Sequence, residues 1–235
     1  MTESPAPAGG WRRAEIRELS HPNPRAVALR LHLPDRIDHL PGQHYVVKLT
    51  AEDGYTAQRS YSVASDPTDP LLELFVERLD DGEVSGYLAD VAEVGDELDV
   101  RGPIGGWFVW AADRPAVGVA GGTGVVPMVS MLRHAAAAGR PELFRLAVSA
   151  RTMAELPYPA ELIAAGARIA LTREDHPAGR RAGRLDAADL EPLLVAGARY
   201  FVCGSAGFAE AASTLLLDAG VAAEAIRVER FGPTS

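Results

Sequence analysis

Two short motifs carry the residue types that could hold redox cofactors. In Arg59-Ser60-Tyr61-Ser62 a cation, an aromatic ring and two hydroxyls occupy consecutive positions of one predicted strand, so alternate side chains can meet a phosphate, a planar ring and its polar edge. Gly121-Gly122-Thr123-Gly124 follows the apolar run 116–120 and precedes a helix predicted to open at Pro127. Its backbone N–H groups and the helix N-terminus can face a pyrophosphate. Together the two motifs predict a flavin and a nicotinamide dinucleotide.

The elements that must position these motifs change character near residues 110–115. Before this point, short alternating segments separated by Pro, Gly and Asp are typical of an antiparallel barrel; they are 27–33, 45–49, 71–78 and 97–101. After it, apolar runs alternate with helical stretches such as 129–138, which is typical of a parallel α/β sheet; the runs are 116–120, 143–149, 168–172, 200–204 and 226–231. We therefore predict two domains, β and α/β. A six-stranded antiparallel Greek-key barrel is expected at 11–112 and a five-stranded parallel doubly wound sheet at 113–235, with residues 1–10 disordered.

Composition narrows the class of protein. The chain has 235 residues and 47% apolar residues, enough to fill two modest cores. No apolar stretch approaches the length that crosses a bilayer, and the first ten residues do not resemble a basic, apolar leader, so we expect a cytoplasmic protein without membrane insertion. The formal charge of −9 argues against nucleic acid or an anionic membrane as partner.

The single cysteine of the sequence, Cys203, excludes a disulfide within the chain and a ferredoxin-type iron–sulfur cluster, because these need two and several thiols respectively. The six histidines are scattered without the i, i+4 spacing of metal ligands, so we expect no structural metal. An electron-transfer protein of this kind must hand its electrons to a separate molecule.

Seven landmarks in a fixed order resemble those of the ferredoxin-NADP reductase superfamily. They are Pro41-Gly42-Gln43, Arg59 to Ser62, Gly82 with Val84-Ser85, Gly102-Pro103 with Gly105, Gly121 to Pro127, Cys203-Gly204, and Glu229-Arg230-Phe231. Each motif is weak alone, but their order and spacing over roughly residues 11–232 make a chance match an unconvincing explanation. The resemblance implies that the first domain binds FAD and the second NAD(P)H, without a fused ferredoxin module.

For the flavin, the resemblance assigns roles along the first domain. Arg59 pairs with the flavin pyrophosphate, and Ser60 beside it also belongs to the cofactor site. The ring of Tyr61 lies against the isoalloxazine, and Ser62 offers a hydroxyl near the reactive N5 edge. Gly82, Val84 and Ser85 hold phosphate oxygens, although Asp80-Asp81-Gly82 is also a good hairpin turn. A further segment, expected beside the flavin from its position alone, comprises Leu74, Phe75, Val76 and Glu77. FAD is favoured over FMN because the barrel motifs resemble those of FAD-binding members.

For the dinucleotide, the glycine cluster departs from the G-x-G-x-x-G fingerprint because Pro127 occupies the third glycine position. This departure matches the ferredoxin reductase form. The resemblance places Cys203, followed by Gly204, beside the carbon that gives up hydride, with Ser62 and Glu229 completing a polar set. Phe231 matches the aromatic residue that covers the flavin face. The alternative for Cys203 is a buried structural thiol at the end of an apolar strand.

The preference between NADPH and NADH depends on Arg151 and Arg173, which follow consecutive predicted strands. Ser149 ends the first of these strands and is expected at the same site. A 2′-phosphate would lie at this place, so we expect NADPH rather than NADH. Arginine carries less weight than usual here, since Lys48 is the only lysine.

The leading hypothesis is a FAD-containing NADPH reductase that passes electrons to a separate one-electron acceptor, namely ferredoxin, flavodoxin or an oxygenase component. A second hypothesis is a reductase whose substrate is a diffusible flavin, ferric iron or quinone. A third is a non-catalytic dinucleotide-binding subunit that kept the fold without the reaction; the presence of Ser62, Cys203, Glu229 and Phe231 speaks against it.

Overall fold

The computed structural model describes residues 10–232. The chain divides into two compact units between Val109 and Trp110, and each unit has its own sheet. Of the first ten residues, which the sequence predicts to be disordered, all except Gly10 lie outside the described part. Within residues 10–232, no helix is both long enough and apolar enough to cross a bilayer.

The first unit is an antiparallel sheet with one helix. Its elements are β1 (Arg12–Asn23), β2 (Ala26–His32), β3 (His44–Thr50), β4 (Thr56–Ser62), β5 (Leu72–Glu77), α1 (Glu83–Asp90) and β6 (Glu97–Ile104). The six strands lie in the order β4-β3-β6-β1-β2-β5, and each neighbouring pair is antiparallel. An antiparallel bridge between Val63 and Leu74 joins the two ends of this order, as closure into a barrel requires. The predicted six-stranded antiparallel domain is confirmed.

Alternating side chains build the barrel core. Val27, Leu29 and Leu31 of β2 are fully buried, whereas Arg30 between them points outward and pairs with Asp69 at 3.1 Å. This alternation is the period-2 pattern that made β2 predictable. Strand β1 was not predicted because charged and other polar residues occupy most of its positions, and only Ala14 and Ile16 are buried.

The second unit is a parallel sheet with helices. Its strands are β7 (Ala116–Gly121), β8 (Phe144–Ala150), β9 (Arg168–Leu171), β10 (Arg199–Ser205) and β11 (Ile226–Phe231). Its helices are α2 (Val126–Ala137), α3 (Pro159–Ala164), α4 (Ala187–Leu190) and α5 (Ala206–Asp218). The strand order is β11-β10-β7-β8-β9, with every neighbouring pair parallel. The chain winds outward from β7 to β9 and then returns to the other side of β7, so the predicted five-stranded doubly wound sheet is confirmed.

The structure differs from the sequence predictions at two helix starts. Helix α2 begins at Val126, with Pro127 inside its first turn, and a 3₁₀ turn over Gly122–Val125 precedes it. The alternative of a hairpin turn at Asp80-Asp81-Gly82 is wrong, because α1 follows Gly82. The buried residues of α1 are Val84, Ser85 and Leu88. Ser85 and Leu88 are three residues apart, which puts them on one face of a helix but on opposite faces of a strand.

Candidate cofactor-binding sites

The glycine loop lies at the point where the direction of winding reverses, between β7 and β10. Ligands of open α/β sheets bind at such a switch point, outside the carboxyl ends of the strands. Gly122 has a left-handed φ of 56°, and a Cβ built there would meet nothing within 4 Å. A Cβ at Gly124 would lie 2.3 Å from the carbonyl oxygen of Cys203. Gly124 therefore lets the loop rest directly on β10, while Gly122 leaves open space.

Sequence reasoning missed Phe208, the third residue of α5. Its ring lies against Gly121 and Gly204, at the ends of β7 and β10. Its backbone N–H donates to Ser205 Oγ at 3.4 Å, so Ser205 caps α5. The only sequence signal for this position is that cap, because the contact with Gly121 joins segments that are far apart in the chain.

Cys203 and Glu229 lie side by side near the carboxyl ends of β10 and β11, as partners in the parallel register. Cys203 is fully buried; burial first, and then the Glu229 carboxylate, raise the pKa of its thiol well above the ordinary value. Burial also raises the pKa of Glu229. Among the described residues, the buried Oε2 of Glu229 has no hydrogen-bond partner. The pair thus offers a protonated thiol and a carboxyl oxygen that is still able to hydrogen bond.

Phe231, the last residue of β11, is partly buried and lies opposite Ser205 in the register with β10. It therefore ends its strand two residues beyond Glu229, on the same edge of the sheet as the glycine loop. The role that the resemblance gives it, covering the flavin, remains a prediction.

Backbone pairing continues past the ends of β8 and β9 and brings the two predicted phosphate-binding arginines together. The N–H of Thr172 donates to the carbonyl of Ala150, and that of Arg173 to the carbonyl of Arg151, both at 2.9 Å. Both arginines are exposed, and Arg151 lies 3.9 Å from Glu155. Ser149 is buried on β8, in register with Gly121. The structure thus places two cations on adjacent, hydrogen-bonded bends that follow β8 and β9, at the carboxyl edge of the sheet.

In the first unit, β4 stands at one end of the strand order. Arg59 and Ser60 are exposed, and the Nη1 of Arg59 donates to the carbonyl of Gln58 at 2.7 Å. Tyr61 packs against the barrel core and Ser62 is partly buried. Burial raises the pKa of Tyr61. The strand therefore presents a cation and hydroxyls to solvent, with a tyrosine ring anchored in the core behind them.

The segment Leu74 to Glu77 has little side-chain surface for a ligand. Leu74 and Val76 are fully buried in the barrel core and Phe75 is 5% exposed, which leaves Glu77 as the exposed member. A cofactor beside this segment would contact mainly its backbone.

The start of α1 has its side chains turned to the protein. Val84 is buried in the barrel core, and the Oγ of Ser85 accepts from the N–H of Leu79 at 3.2 Å and donates to the carbonyl of Gly82 at 3.3 Å. A Cβ at Gly82 would lie 2.2 Å from that Oγ. The hydroxyl of Ser85 therefore holds the turn before α1, and the first backbone N–H groups of the helix are what remains for a phosphate.

A hydrogen bond links the β3–β4 turn to this helix start. The Tyr55 hydroxyl donates to Glu83 Oε2 at 3.0 Å. That bond raises the pKa of Tyr55, whereas the nearby charge of Arg59 lowers it. Tyr55 thus bonds the first residue of α1 and also interacts electrostatically with Arg59, the predicted phosphate-binding cation.

The comparisons with known proteins agree with this arrangement. A family model described as an oxidoreductase FAD-binding domain matches residues 14–109, and one described as an oxidoreductase NAD-binding domain matches residues 119–214. The chain is similar, at 28% identity over 221 residues, to the ferredoxin–NAD(P)(+) reductase component of the naphthalene 1,2-dioxygenase system of Pseudomonas putida, with 87% of this chain and 64% of the relative covered. It is 34% identical over 212 residues to a flavohemoprotein of Deinococcus radiodurans, with 83% of this chain and 52% of the relative covered.

Among solved structures, the flavohem-like FAD/NAD-binding domain of nitric oxide dioxygenase from Vibrio cholerae O1 biovar El Tor shares the fold. The TM-score is 0.80 at 24% identity, covering 96% of this chain and 100% of that one. The chain thus spans between about half and two thirds of the two curated relatives, 52% and 64%, and the whole length of this solved domain. The two matching domain models, which follow one another along most of the chain, show that it belongs to the FAD- and NAD(P)-binding oxidoreductases of the ferredoxin reductase family.

Proposed function

We propose that this protein oxidises NADPH and passes the electrons through FAD, one at a time, to a separate acceptor protein. The observation that carries the proposal is the pair of Cys203 and Glu229 beside the glycine loop. A buried protonated thiol and a carboxyl oxygen without a partner are polar groups that burial makes costly. Their presence at the switch point is accounted for if a ligand completes their hydrogen bonds.

The residues of the first unit fit FAD. Arg59 is an exposed cation on β4, and Tyr55 in the turn before β4 is hydrogen-bonded to Glu83 at the start of α1, whose backbone N–H groups and dipole suit a pyrophosphate. When bound, FAD supplies the conversion between a two-electron hydride and single electrons. Arg59 would hold the pyrophosphate, Tyr61 would support the ring system from the barrel core, and Ser60 and Ser62 would offer hydroxyls from the same strand.

The residues of the second unit fit a nicotinamide dinucleotide. The backbone of Gly122 and Thr123 would face the pyrophosphate, since the space beside Gly122 is open. Cys203 and Glu229 would orient the nicotinamide by hydrogen bonds and exclude water from it, with no covalent role, because hydride transfer depends on close positioning. Phe231 would cover the flavin face and give way when the nicotinamide enters.

NADPH is proposed over NADH because Arg151 and Arg173 lie on hydrogen-bonded adjacent segments. Two guanidinium groups at one place suit a doubly charged phosphate, to which arginine binds with bidentate geometry. NADH has no group there to use them.

The proposed acceptor is a ferredoxin, a flavodoxin or an oxygenase component. One relative is named as the ferredoxin–NAD(P)(+) reductase component of a dioxygenase system, and another as component C of a methane monooxygenase. A single cysteine leaves this chain without the thiolates for an iron–sulfur cluster of its own. The one-electron carrier is therefore proposed to be a different molecule.

A second candidate, a reductase that uses flavin as a diffusible substrate, is favoured by Glu83. This residue begins α1 and is held there by Tyr55. Its carboxylate near the proposed phosphate position opposes an anion, which would weaken flavin retention. Gel filtration decides between the candidates: flavin that stays with the protein supports the first, and flavin that is lost, but is retained by Glu83→Gln, supports the second.

The test of the leading proposal is an anaerobic titration of the FAD-loaded protein with NADPH and, separately, NADH, followed by flavin absorbance. We expect rapid bleaching by NADPH and slow bleaching by NADH. A flavin that stays oxidised with both would overturn the proposal. Adding oxidised ferredoxin or flavodoxin to the reduced protein should then restore the flavin absorbance, and a failure with each one-electron acceptor would move the assignment to the diffusible-flavin reductase.

A further inference from the structure

Gly121 and Gly204 end neighbouring strands and share one neighbour, the ring of Phe208. A Cβ built on Gly121 would lie 2.6, 2.8 and 2.9 Å from the ring atoms Cγ, Cδ2 and Cδ1 of Phe208. A Cβ on Gly204 would lie 2.7 Å from Cδ1 of the same ring. Such approaches are well inside van der Waals contact, which is about 3.5–4.0 Å between carbon atoms. Both positions must therefore be glycine while Phe208 is present.

The four glycines around the switch point thus fall into two kinds. The space beside Gly121 and Gly204 is taken by the ring of Phe208, and the space beside Gly124 by the Cys203 carbonyl. Only beside Gly122, among these four, does a Cβ meet nothing within 4 Å. A glycine in a cofactor loop is usually explained by close approach of the ligand. Here that explanation applies to Gly122, whereas the Phe208 ring explains Gly121 and Gly204 and the backbone of β10 explains Gly124.

Phe208 is held firmly in this place. It is the third residue of α5, whose N-terminus is capped by Ser205 at 3.4 Å. Ala209, Ala212 and Leu216 of the same helix are buried in the core of the second unit. Phe208 as a whole residue is only partly buried. It is therefore not sealed inside the core of the second unit.

We propose that Phe208 is a positioning residue for the dinucleotide. Its ring, rather than the ligand, fills the space beside Gly121 and Gly204 and forms a floor of the switch-point crevice on which the dinucleotide rests. This inference rests on the dinucleotide binding proposed above. This floor adjoins the glycine loop and Cys203, which are proposed to contact parts that NADPH and NADH share. Loss of the Phe208 ring therefore weakens the binding of both dinucleotides alike, whereas loss of an arginine that binds the 2′-phosphate weakens only that of NADPH.

The first experiment tests the packing without any ligand, through thermal unfolding of Gly121→Ala, Phe208→Ala and the double variant. Gly121→Ala should lower Tm strongly in the wild-type background, since its Cβ collides with the ring, and much less in the Phe208→Ala background, where the ring is gone. Effects that simply add would show that something else demands glycine at 121, and would overturn the proposed occupancy.

The second experiment measures binding of NADP⁺ and NAD⁺ to the FAD-loaded protein by isothermal titration calorimetry. Phe208→Ala should raise both Kd values by a similar factor, about tenfold, which corresponds to about 1.4 kcal/mol. Phe208→Tyr, which keeps the ring, should restore binding. Leu216→Ala is the matched control on α5: Leu216 is fully buried, so the variant should lower Tm through a core cavity and leave both Kd values unchanged.

The outcomes distinguish a failure of the Phe208 positioning role from a failure of the proposed function. If the wild type binds a dinucleotide and Phe208→Ala binds it equally well, or if Leu216→Ala weakens binding as much, the positioning role is overturned while the proposed function stands. If the wild type binds neither dinucleotide, the proposed function falls, and the positioning role falls with it.

Discussion

Replacing Arg173 by alanine should remove most of the NADPH preference proposed above. The N–H of Arg173 donates to the carbonyl of Arg151 at 2.9 Å, so the two residues extend the pairing of β8 and β9. Neighbouring strands lie about 4.8 Å apart. Two guanidinium groups that start from positions this close can reach the same phosphate.

The size of the effect follows from charge and exposure. A hydrogen bond to a charged group contributes about 1.5–3 kcal/mol. Both arginines are exposed, so solvent and salt screen the interaction and the lower end of this range applies. About 1.5 kcal/mol corresponds to roughly a tenfold change in affinity. The double variant Arg151→Ala/Arg173→Ala should lose less than the product of the single effects, because both arginines would contact one phosphate.

The assay is anaerobic stopped-flow reduction of the bound flavin at several concentrations of NADPH and NADH. Arg173→Ala should lower the apparent second-order rate constant with NADPH about tenfold and leave that with NADH unchanged. Arg168→Ala is the matched control, since Arg168 is an exposed arginine at the opposite end of β9. It should leave the preference intact. Raising the salt concentration should weaken NADPH use in the wild type more than in Arg173→Ala.

Equal losses of the rate constant with NADPH and with NADH would refute this reasoning, because they would show that Arg173 contacts a part of the dinucleotide that both cofactors share. A loss of the same size in Arg168→Ala would also refute it, since a general change in charge would then explain the result.

Three further predictions concern stability and reactivity. Burial raises the pKa of Glu229, so the stability that its proton contributes is present at low pH and is lost as pH rises through the raised value. Glu229→Gln should therefore gain Tm relative to wild type as pH rises, and a pH-independent difference would contradict this. A Cβ at Gly102 would lie 2.6 Å from the buried ring of Tyr45, whereas one at Gly106 would meet nothing within 4 Å. Gly102→Ala should therefore lower the free energy of unfolding, measured by chemical denaturation, by about 1–3 kcal/mol, and Gly106→Ala should change it little. Equal costs would contradict the close packing of Gly102 on Tyr45. Cys203 is fully buried, and burial raises the pKa of its thiol. An aromatic disulfide reagent at about pH 8 should therefore react with this thiol only after the protein unfolds. Fast reaction with the native protein would contradict the burial of the thiol.

Much of the fold followed from hydrophobic periodicity. Strands buried on both faces read as continuous apolar runs, and for this reason 116–120 and 200–204 predicted β7 and β10 to within a residue at each end. β1 escaped prediction since charged and other polar side chains together occupy most of its positions, and its place between β2 and β6 depends on pairing with both. The start of α1 was ambiguous, because Asp-Asp-Gly suits a hairpin turn as well as the approach to a helix.

The candidate sites divide in the same way. Gly121 to Gly124 could be named from the sequence because a glycine loop leaves a local signal, whereas Cys203 and Glu229 were named through the family resemblance. The sequence also placed Arg151 and Arg173 after consecutive strands, but the hydrogen bond between their backbones became visible only when β8 and β9 were paired.

The sequence by itself determined that this chain has an antiparallel barrel followed by a doubly wound sheet, and where its glycine loop lies. These features depend on the period of apolar residues and on glycine placement, which are local properties. Only the tertiary structure decided what occupies the space that each glycine leaves. Phe208 reaches Gly121 because β10 returns beside β7 in the strand order and α5 begins where β10 ends, and no local pattern encodes a contact that depends on that return.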